Sequence, residues 1–250
     1  IAPPALSIGV LLLLWEGAVR FGFVSQRSLA APTQIVLSIV GTWPQLMAAA
    51  TVTTYETVAG FLIAVASGVL IGIGLFCSTM LNRALYPLLV AAQTVPLIAV
   101  APLFMLWFGF DTIGKVVLVA VLGVFPVAVQ TCRGLFAVPQ FYEDVALTCG
   151  ATRVWTLWHV KLRAAGRQIF GGIRISAAYV CGTAVTAEYL GARNGLGIWL
   201  QAAFNSFNTP SIFAATVVII LETAVLLGLT SLVEYIVLGD DERPSRGQTS

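Results

Sequence analysis

Charged residues are scarce in this sequence. Lys, Arg, Asp and Glu make up 10% of its 250 residues and hydrophobic residues 58%, whereas a typical soluble domain is about 25% charged. A chain of this length could bury a large core, but thirteen basic and eleven acidic side chains are too few to cover its surface. The composition therefore excludes an ordinary soluble domain and indicates a protein that lies in a lipid bilayer.

Motifs for catalysis and metal binding are also missing. His159 is the only histidine, and the four cysteines show no Cys-x-x-Cys spacing, so neither a metal site nor a disulfide framework is expected. No G-x-x-x-x-G-K-[ST] run occurs that could cradle a nucleotide phosphate, and no G-x-S-x-G or H-E-x-x-H motif is present. The sequence therefore predicts that this chain binds no cofactor and is not an enzyme.

Six apolar runs approach the roughly 20 residues that a helix needs to cross about 30 Å of hydrocarbon. They cover residues 5–23, 53–77, 85–109, 114–133, 169–191 and 212–238. The first run holds Glu16 and Arg20 and lacks a small-residue cleavage site, so we expect a retained helix and not a signal peptide. The predicted fold is an all-α integral membrane protein with one transmembrane domain over residues 1–238. The polar tail, residues 239–250, is predicted to be disordered.

The connection between the first two runs, residues 24–50, holds two prolines and a short apolar stretch over residues 35–40. This stretch is too short to cross a membrane. We expect an amphipathic connection that lies along the outer surface or packs on the helix bundle. A plain loop is the alternative.

The positions of Lys and Arg predict the orientation, because cytoplasmic loops hold the excess of basic residues. The internal segment 134–168 and its edges hold Arg133, Arg153, Lys161, Arg163, Arg167 and Arg174. The same side receives Arg83, Arg243 and Arg246, and the opposite side receives Arg20, Arg27, Lys115 and Arg193. Both termini are therefore expected in the cytoplasm. A net charge of +2 with scattered carriers does not suggest nucleic-acid binding.

The segment 134–168 is expected to be structured. Pro139 should open a short helix with Glu143 and Asp144 in its first turn, where acidic groups favour the positive helix end. Gly150 supplies a residue that can adopt the left-handed conformation and end this helix. A chain that only turned back into the membrane would not need such a loop, so the segment is predicted to be a docking surface.

A second amphipathic helix is expected to follow, because Trp155, Trp158 and Leu162 are spaced to share one face. The alternative for the whole segment is a pair of interfacial helices that lie on lipid headgroups, with the two tryptophans as anchors.

The same segment resembles the EAA loop of binding-protein-dependent ABC importer permeases, whose pattern is E-A-A-x3-G-x9-I-x-L-P. The matching stretch runs from Asp144-Val145-Ala146 through Gly150 to the run VKLR, residues 160–163. Val145 replaces an alanine, Asp144 replaces the usual glutamate, and the motif's proline is an arginine here.

In that family the loop forms a coupling helix that fits a groove of the ATPase. The resemblance therefore implies a set of ATPase-coupling residues, which are Glu143, Asp144, Ala146, Gly150, Val160 and Leu162.

Two further stretches resemble one subfamily of these permeases. QTVPLIAVAPLFMLWFGFDTIGK (residues 93–115) and AEYLGARNGLGIWL (residues 187–200) are similar to the third span and the end of the fifth span in permeases for sulfonates, taurine, nitrate and thiamine or riboflavin precursors. The resemblance implies a type I ABC importer permease with six transmembrane helices, which carries a small nutrient across the bacterial inner membrane.

The resemblance also implies partners. These are two ATPase subunits that hold ATP and Mg, an extracytoplasmic substrate-binding protein and a second permease. Six helices are few to enclose a polar route, so a symmetric permease dimer is the simplest expectation.

Polar groups at membrane depth select candidates for the translocation pathway, because each is costly unless it has a partner or a watery surface. The candidates are Gln93, Thr94, Pro96 and Glu188. The alternative for Gln93 is a plain interhelical hydrogen bond, and that for Glu188 is a structural role.

The other intramembrane carboxylates are expected to have structural roles. Glu16, Glu56, Glu222 and Glu234 could pair with Arg20, lie at interfaces or face water. An ion-gradient-driven carrier or channel, with Glu188 or Glu56 as its ion-binding group, is the main functional alternative. A membrane scaffold that moves no solute is a third.

Overall fold

A computed structural model describes residues 2–23, 25 and 28–239, and this part of the chain is helical without any β-strand. Its first half contains α1 (Ala2–Arg20), α2 (Pro32–Gly41), α3 (Trp43–Cys77), α4 (Thr79–Ala92), α5 (Leu97–Phe108) and α6 (Thr112–Ala137). Its second half contains α7 (Gln140–Thr148), α8 (Arg153–Thr156), a π-helical turn (Leu157–Lys161), α9 (Leu162–Ala164), α10 (Gly166–Gly191), α11 (Leu196–Asn205) and α12 (Thr209–Leu238). The predicted tail beyond residue 239 and Arg27 lie outside the described residues.

Four of the described helices are long and apolar enough to cross a membrane, namely α3, α6, α10 and α12. The consecutive helices α4 and α5 make a fifth candidate if they count as one broken span. These candidates coincide with the second to sixth predicted runs, so the all-α membrane architecture is confirmed. The first predicted run is helical as α1, and its crossing of the membrane stays a prediction.

The third predicted run, residues 85–109, is not one continuous helix. α4 ends at Ala92 and α5 begins at Leu97. Pro96 has no N–H to donate to a continuing helix, and its ring disfavours helical backbone in the preceding residue. At the end of α4 the carbonyl of Ala91 accepts both the Thr94 N–H at 3.0 Å and the Thr94 hydroxyl at 2.7 Å.

The connection over residues 24–50 is not a plain loop. It contains α2, which starts at Pro32, where a missing N–H costs nothing. The side chain of Gln34 accepts the Ala31 N–H at 3.1 Å and closes the first turn. α3 then begins at Trp43, well before the start expected near residue 53. The described part of the connection is therefore mostly helical, and the plain-loop alternative is wrong. Its placement along the outer surface or on the helix bundle stays a prediction.

The chain forms two compact units, and α3, α6, α10 and α12 each contribute residues to both. Unit 1 contains the residues up to 58 together with 97–118 and 181–222. Unit 2 contains residues 59–96, 119–180 and those from 223 onward.

Unit 1 has an apolar core formed by side chains of α3, α10, α11 and α12. The buried members of this core are Leu46, Ala50, Val185, Leu196, Ala214, Ala215 and Val218. Leu46 and Ala50 lie in the part of α3 that the hydropathy pattern left outside the second span. Their burial explains why α3 extends so far toward its N-terminus.

In unit 2, α6 and α10 are joined by hydrogen bonds at a proline. Pro126 lies inside α6 and cannot donate to the carbonyl of Leu122, four residues earlier. The hydroxyl of Tyr179 donates to this carbonyl at 2.7 Å. The Ser176 hydroxyl donates to the neighbouring Gly123 carbonyl at 3.1 Å. The proline in α6 therefore keeps its backbone satisfied through side chains of α10.

Candidate functional site

The end of α7 has the geometry that the sequence predicts. Gly150 has a φ of +86°, in the left-handed region. Its N–H donates to the Leu147 carbonyl at 3.0 Å, and the Ala151 N–H donates to the Ala146 carbonyl at 3.0 Å. These bonds close the helix C-terminus and turn the chain into α8, so the expected role of Gly150 as a helix stop is confirmed.

An ion pair holds α7 to the π-helical turn. The carboxylate of Glu143 pairs with the ammonium of Lys161, which also lies 4.7 Å from the centroid of the Phe76 ring. Asp144 is exposed and forms no ion pair with a described residue. The carboxylate that fixes the segment is therefore Glu143, one position before the acidic position of the motif.

An open groove of about 840 Å³ lies between α7 and the segment that follows it. It is lined by Phe141, Tyr142, Val145, Ala146, Cys149, Gly150, Ala151, Thr152, Trp155 and Val160. Of the predicted coupling residues, the structure brings Ala146, Gly150 and Val160 together in this groove. Asp144 and Leu162 are not among the lining residues.

Several aromatic side chains in the groove were not among the predicted coupling residues. Phe141 is 69% exposed, and Tyr142 and Trp155 are about half exposed. Large exposed apolar side chains next to each other between two predicted spans are the signal that the motif alone does not contain. The predicted second amphipathic helix included Trp155, but the sequence did not predict that Trp155 shares a groove with α7.

Glu188 lies at the end of α10 in unit 1 and is fully buried. Its Oε1 accepts the Thr53 hydroxyl at 2.8 Å, and its Oε2 accepts the Gly197 N–H at 2.7 Å. The Thr53 oxygen in turn accepts the Leu196 N–H at 2.9 Å. Both donated N–H groups belong to the first turn of α11, so the carboxylate and the hydroxyl together cap this helix.

The turn before α11 depends on a glycine. Gly195 has a φ of +120°, and a Cβ there would collide with the carboxylate of Glu188. Gly195 and Gly197 follow Glu188 in the chain, and a Cβ on either would collide with the Glu188 side chain. In the structure they let the turn approach the carboxylate closely.

A buried ion pair lies beside this cap. Glu56 of α3 pairs with Lys115 of α6, and their side chains are 0% and 4% exposed. Both interact electrostatically with Glu188. Lys115 lies in the first turn of α6, near a helix end as expected, and the sequence did not indicate that its side chain is buried against Glu56. Its position on the outer side stays a prediction. The sequence does contain one signal of this cluster, which is that Thr53 and Glu56 lie one turn apart and therefore share a face of α3.

The other three carboxylates that were expected to have structural roles, Glu16, Glu222 and Glu234, have partners that fit such roles. Glu16 pairs with Arg20, as expected, at 2.5 Å. Glu234 pairs with Arg174. Glu222 accepts the Thr54 hydroxyl at 2.8 Å.

The other predicted pathway residues lie at the break between α4 and α5. Gln93, Thr94 and Pro96 are exposed and belong to unit 2, whereas Glu188 belongs to unit 1. Gln93 lines a cavity of about 340 Å³. A role for these four residues in a translocation pathway stays a prediction. Within the described ranges, no group of three or more His, Cys, Asp or Glu side chains could hold a metal ion.

Comparison with known proteins gives the family. Residues 64–237 match the family described as binding-protein-dependent transport system inner membrane component. The formylaminopyrimidine transport permease protein ThiX of Halalkalibacterium halodurans is 31% identical over 230 residues, which cover 92% of this chain and 91% of the relative. The taurine transport system permease protein TauC of Escherichia coli is 31% identical over 242 residues, 91% and 86% of the two chains.

The fold agrees with this assignment. A solved chain of the MetNI methionine ABC transporter, in an inward-facing conformation, superposes with a TM-score of 0.67 at 17% identity. The match covers 79% of this chain and 98% of that one. With its apolar spans, the molecule is a multi-pass inner-membrane protein of the type I importer fold. The chain therefore belongs to the inner-membrane components of binding-protein-dependent transport systems, as a permease of an ABC importer.

Proposed function

We propose that this permease is driven by a separate ATPase that docks on the groove between α7 and the π-helical turn. The observation that carries the proposal is the exposed apolar lining of this groove, next to a segment that matches the coupling-loop pattern. Apolar patches rimmed by polar residues mark protein interaction sites. The lining includes Tyr142 and Trp155, and tyrosine and tryptophan dominate binding energy at interfaces.

The groove is suited to rigid transmission of force. The Glu143–Lys161 pair and the capped turn at Gly150 tie α7 to the segment that leads into α10. A movement of α7 would therefore be passed to a membrane-spanning helix. ATP binding can shift such a conformational equilibrium only if the ATPase binds its two states differently.

The proposed assembly has two permease copies, two ATPase subunits and an extracytoplasmic binding protein. ATP and Mg belong to the ATPase, because this sequence has no phosphate-cradling loop. Both termini are placed in the cytoplasm. Burial of Lys115 supports this orientation, since it removes one cation from the side with fewer basic residues.

The proposed solute is a small polar nutrient. ThiX is named for formylaminopyrimidine and TauC for taurine, and this chain resembles both to a similar degree. We propose that Gln93, Thr94 and Pro96 line the route. In this proposal Glu188 holds the turn before α11 in place and does not contact the solute.

Two exposed valines give a matched test of the docking groove. Val145 lines the groove, whereas Val154 is exposed on the same segment and does not line it. Val145→Asp would place a charge in the contact, and we expect ATPase co-purification and ATP-driven uptake to fall at least about tenfold. Val154→Asp should change both by less than about twofold.

Both variants must show the melting temperature of the unaltered permease in detergent, so that a lost complex reports docking and not unfolding. If Val145→Asp assembles with the ATPase and supports uptake as well as Val154→Asp does, the groove is not the docking site.

A further inference from the structure

Two adjoining cavities in unit 2 have walls rich in hydrogen-bond donors. One has a volume of about 340 Å³ and includes Gln93 and Gln130 in its lining; the other has about 450 Å³ and includes Asn82. Tyr86 and Arg133 line both. No carboxylate lines either cavity, so no acidic side chain in the cavity walls neutralises the positive charge of Arg133.

Arg133 differs from the cations that have structural roles. Arg20, Lys115, Lys161 and Arg174 each pair with a carboxylate. Arg133 is exposed and forms no ion pair with any residue in the described ranges. A guanidinium presents five donors in a fixed fork that matches the geometry of an oxyanion. Its charge is therefore available to a ligand in the cavities.

The amide groups around Arg133 add donors. The Gln168 Nε2 donates to the Gln130 Oε1 at 2.7 Å. This bond uses one lone pair of the Gln130 oxygen, and both N–H groups of the Gln130 amide are left to donate. The Tyr86 hydroxyl is a further possible donor. A ligand with several acceptor oxygens and a negative charge fits this set better than a cation does.

We propose that these two cavities form a binding site for the oxyanion group of a transported solute, such as a sulfonate, nitrate or carboxylate. The inference rests on the proposed function, because it places the site on the route that Gln93 lines. Arg133 is the charged contact, and Gln93, Gln130 and Tyr86 surround the anion. The phosphate of a lipid headgroup has the same chemistry, and the test below separates it from a solute.

The test measures the local potential with charged thiol reagents. The permease carries Val90→Cys, a position that lines the smaller cavity, and Cys77→Ser and Cys149→Ser, which remove the exposed thiols. The complete importer is placed in nanodiscs of phosphatidylcholine. The rates of labelling are measured with a sulfonate-bearing and with a trimethylammonium-bearing methanethiosulfonate.

We expect the sulfonate reagent to be favoured. A unit charge across roughly 4 Å of water changes each labelling rate about fivefold. Arg133→Gln should therefore slow the sulfonate reagent, speed the cationic one and lower the ratio of the two rates roughly 25-fold. Arg133→Lys should keep most of this preference. Arg83→Gln is the matched control, because it removes a cation from α4 that lines neither cavity. Methanesulfonate or nitrate should slow labelling relative to chloride, and only when Arg133 is present.

Two results would overturn the inference. One is an unchanged rate ratio in Arg133→Gln. The other is protection from labelling that appears only when the nanodisc contains phosphatidylglycerol and that needs no added solute anion. That result would assign the site to a lipid headgroup. Either result leaves ATP-driven uptake by the unaltered complex intact. Absence of that uptake would instead contradict the proposed function, whatever the labelling shows.

Discussion

Replacement of Lys115 by methionine should strongly destabilise the permease. The Lys115 ammonium is the partner of Glu56, whose side chain is fully buried, and both interact with Glu188. Without the ammonium, two carboxylates remain in a buried cluster with no cation. Breaking a buried pair by removing one partner costs about 3–5 kcal/mol, so we expect Lys115→Met to lower the free energy of unfolding by that amount.

Removal of both charges should cost much less. The double variant Glu56→Leu with Lys115→Met replaces the pair by apolar side chains of similar volume, which in buried sites is often neutral or stabilising. It also removes the repulsion between Glu56 and Glu188. The coupling energy from the double-mutant cycle should therefore be about 3 kcal/mol or more.

The assay is reversible unfolding in mixed micelles by titration with dodecyl sulfate, followed by tryptophan fluorescence. Arg20→Met is the control, because Arg20 pairs with Glu16 while its side chain is 65% exposed. An exposed pair is worth about 0.2–1 kcal/mol. If Lys115→Met costs no more than Arg20→Met, or if the double variant costs the sum of the two single ones, the pair is not the buried unit described above.

Three further substitutions test other parts of the structure. Gly195→Ala forces a Cβ against Glu188 at a φ of +120°, so we expect a loss of about 1–3 kcal/mol and faster hydrogen exchange in the first turn of α11; unchanged exchange would contradict the cap. Tyr179→Phe leaves the Leu122 carbonyl without this donor and should cost about 1–3 kcal/mol in the same unfolding assay; a neutral result would mean that another donor reaches the carbonyl. Gly150→Ala places a side chain at a φ of +86° and should cost about 1–2 kcal/mol, with a larger loss of ATP-driven uptake than of melting temperature; normal uptake would show that the turn does not affect coupling.

Hydropathy located the apolar spans because lipid-facing helices must be apolar over their whole length. It placed the second to sixth candidates correctly. It missed the break over residues 93–96. Averaging hydropathy over a window counts a proline only as one weakly polar residue, whereas proline breaks a helix because it lacks a backbone N–H. Hydropathy also shortened α3, because the helical structure of residues 43–50 depends on the burial of Leu46 and Ala50 in a core with α10, α11 and α12, which hydropathy does not report.

Local features of the 134–168 segment could be predicted, because a helix stop depends on one residue and its immediate neighbours. Gly150 adopts the expected left-handed conformation. The pairing of Glu143 with Lys161 could not be predicted, since it depends on how the chain returns after the turn. The π-helical turn that contains Lys161 has no signature in the sequence pattern.

The buried cluster in unit 1 shows the limit of reading each polar residue separately. Glu188 was identified as costly at membrane depth, and its isolation suggested a pathway role. Its partners Thr53 and Gly197 become visible only when α3, α10 and α11 are packed together. The same holds for Glu56 and Lys115. The spacing of Thr53 and Glu56 places both on one face of α3, but a single sequence does not show which residues of the other helices contact that face.

The central claim is that solute movement through this permease is driven by an ATPase coupled through the α7 groove. The most direct test is uptake of radiolabelled taurine and of formylaminopyrimidine into proteoliposomes that hold the permease with its ATPase and binding protein. We expect uptake of at least one of the two solutes. This uptake should require ATP, the ATPase and the binding protein, and Val145→Asp should lower it at least about tenfold. Uptake under an imposed ion gradient by the permease alone, without ATP or an ATPase, would contradict the claim and favour a gradient-driven carrier.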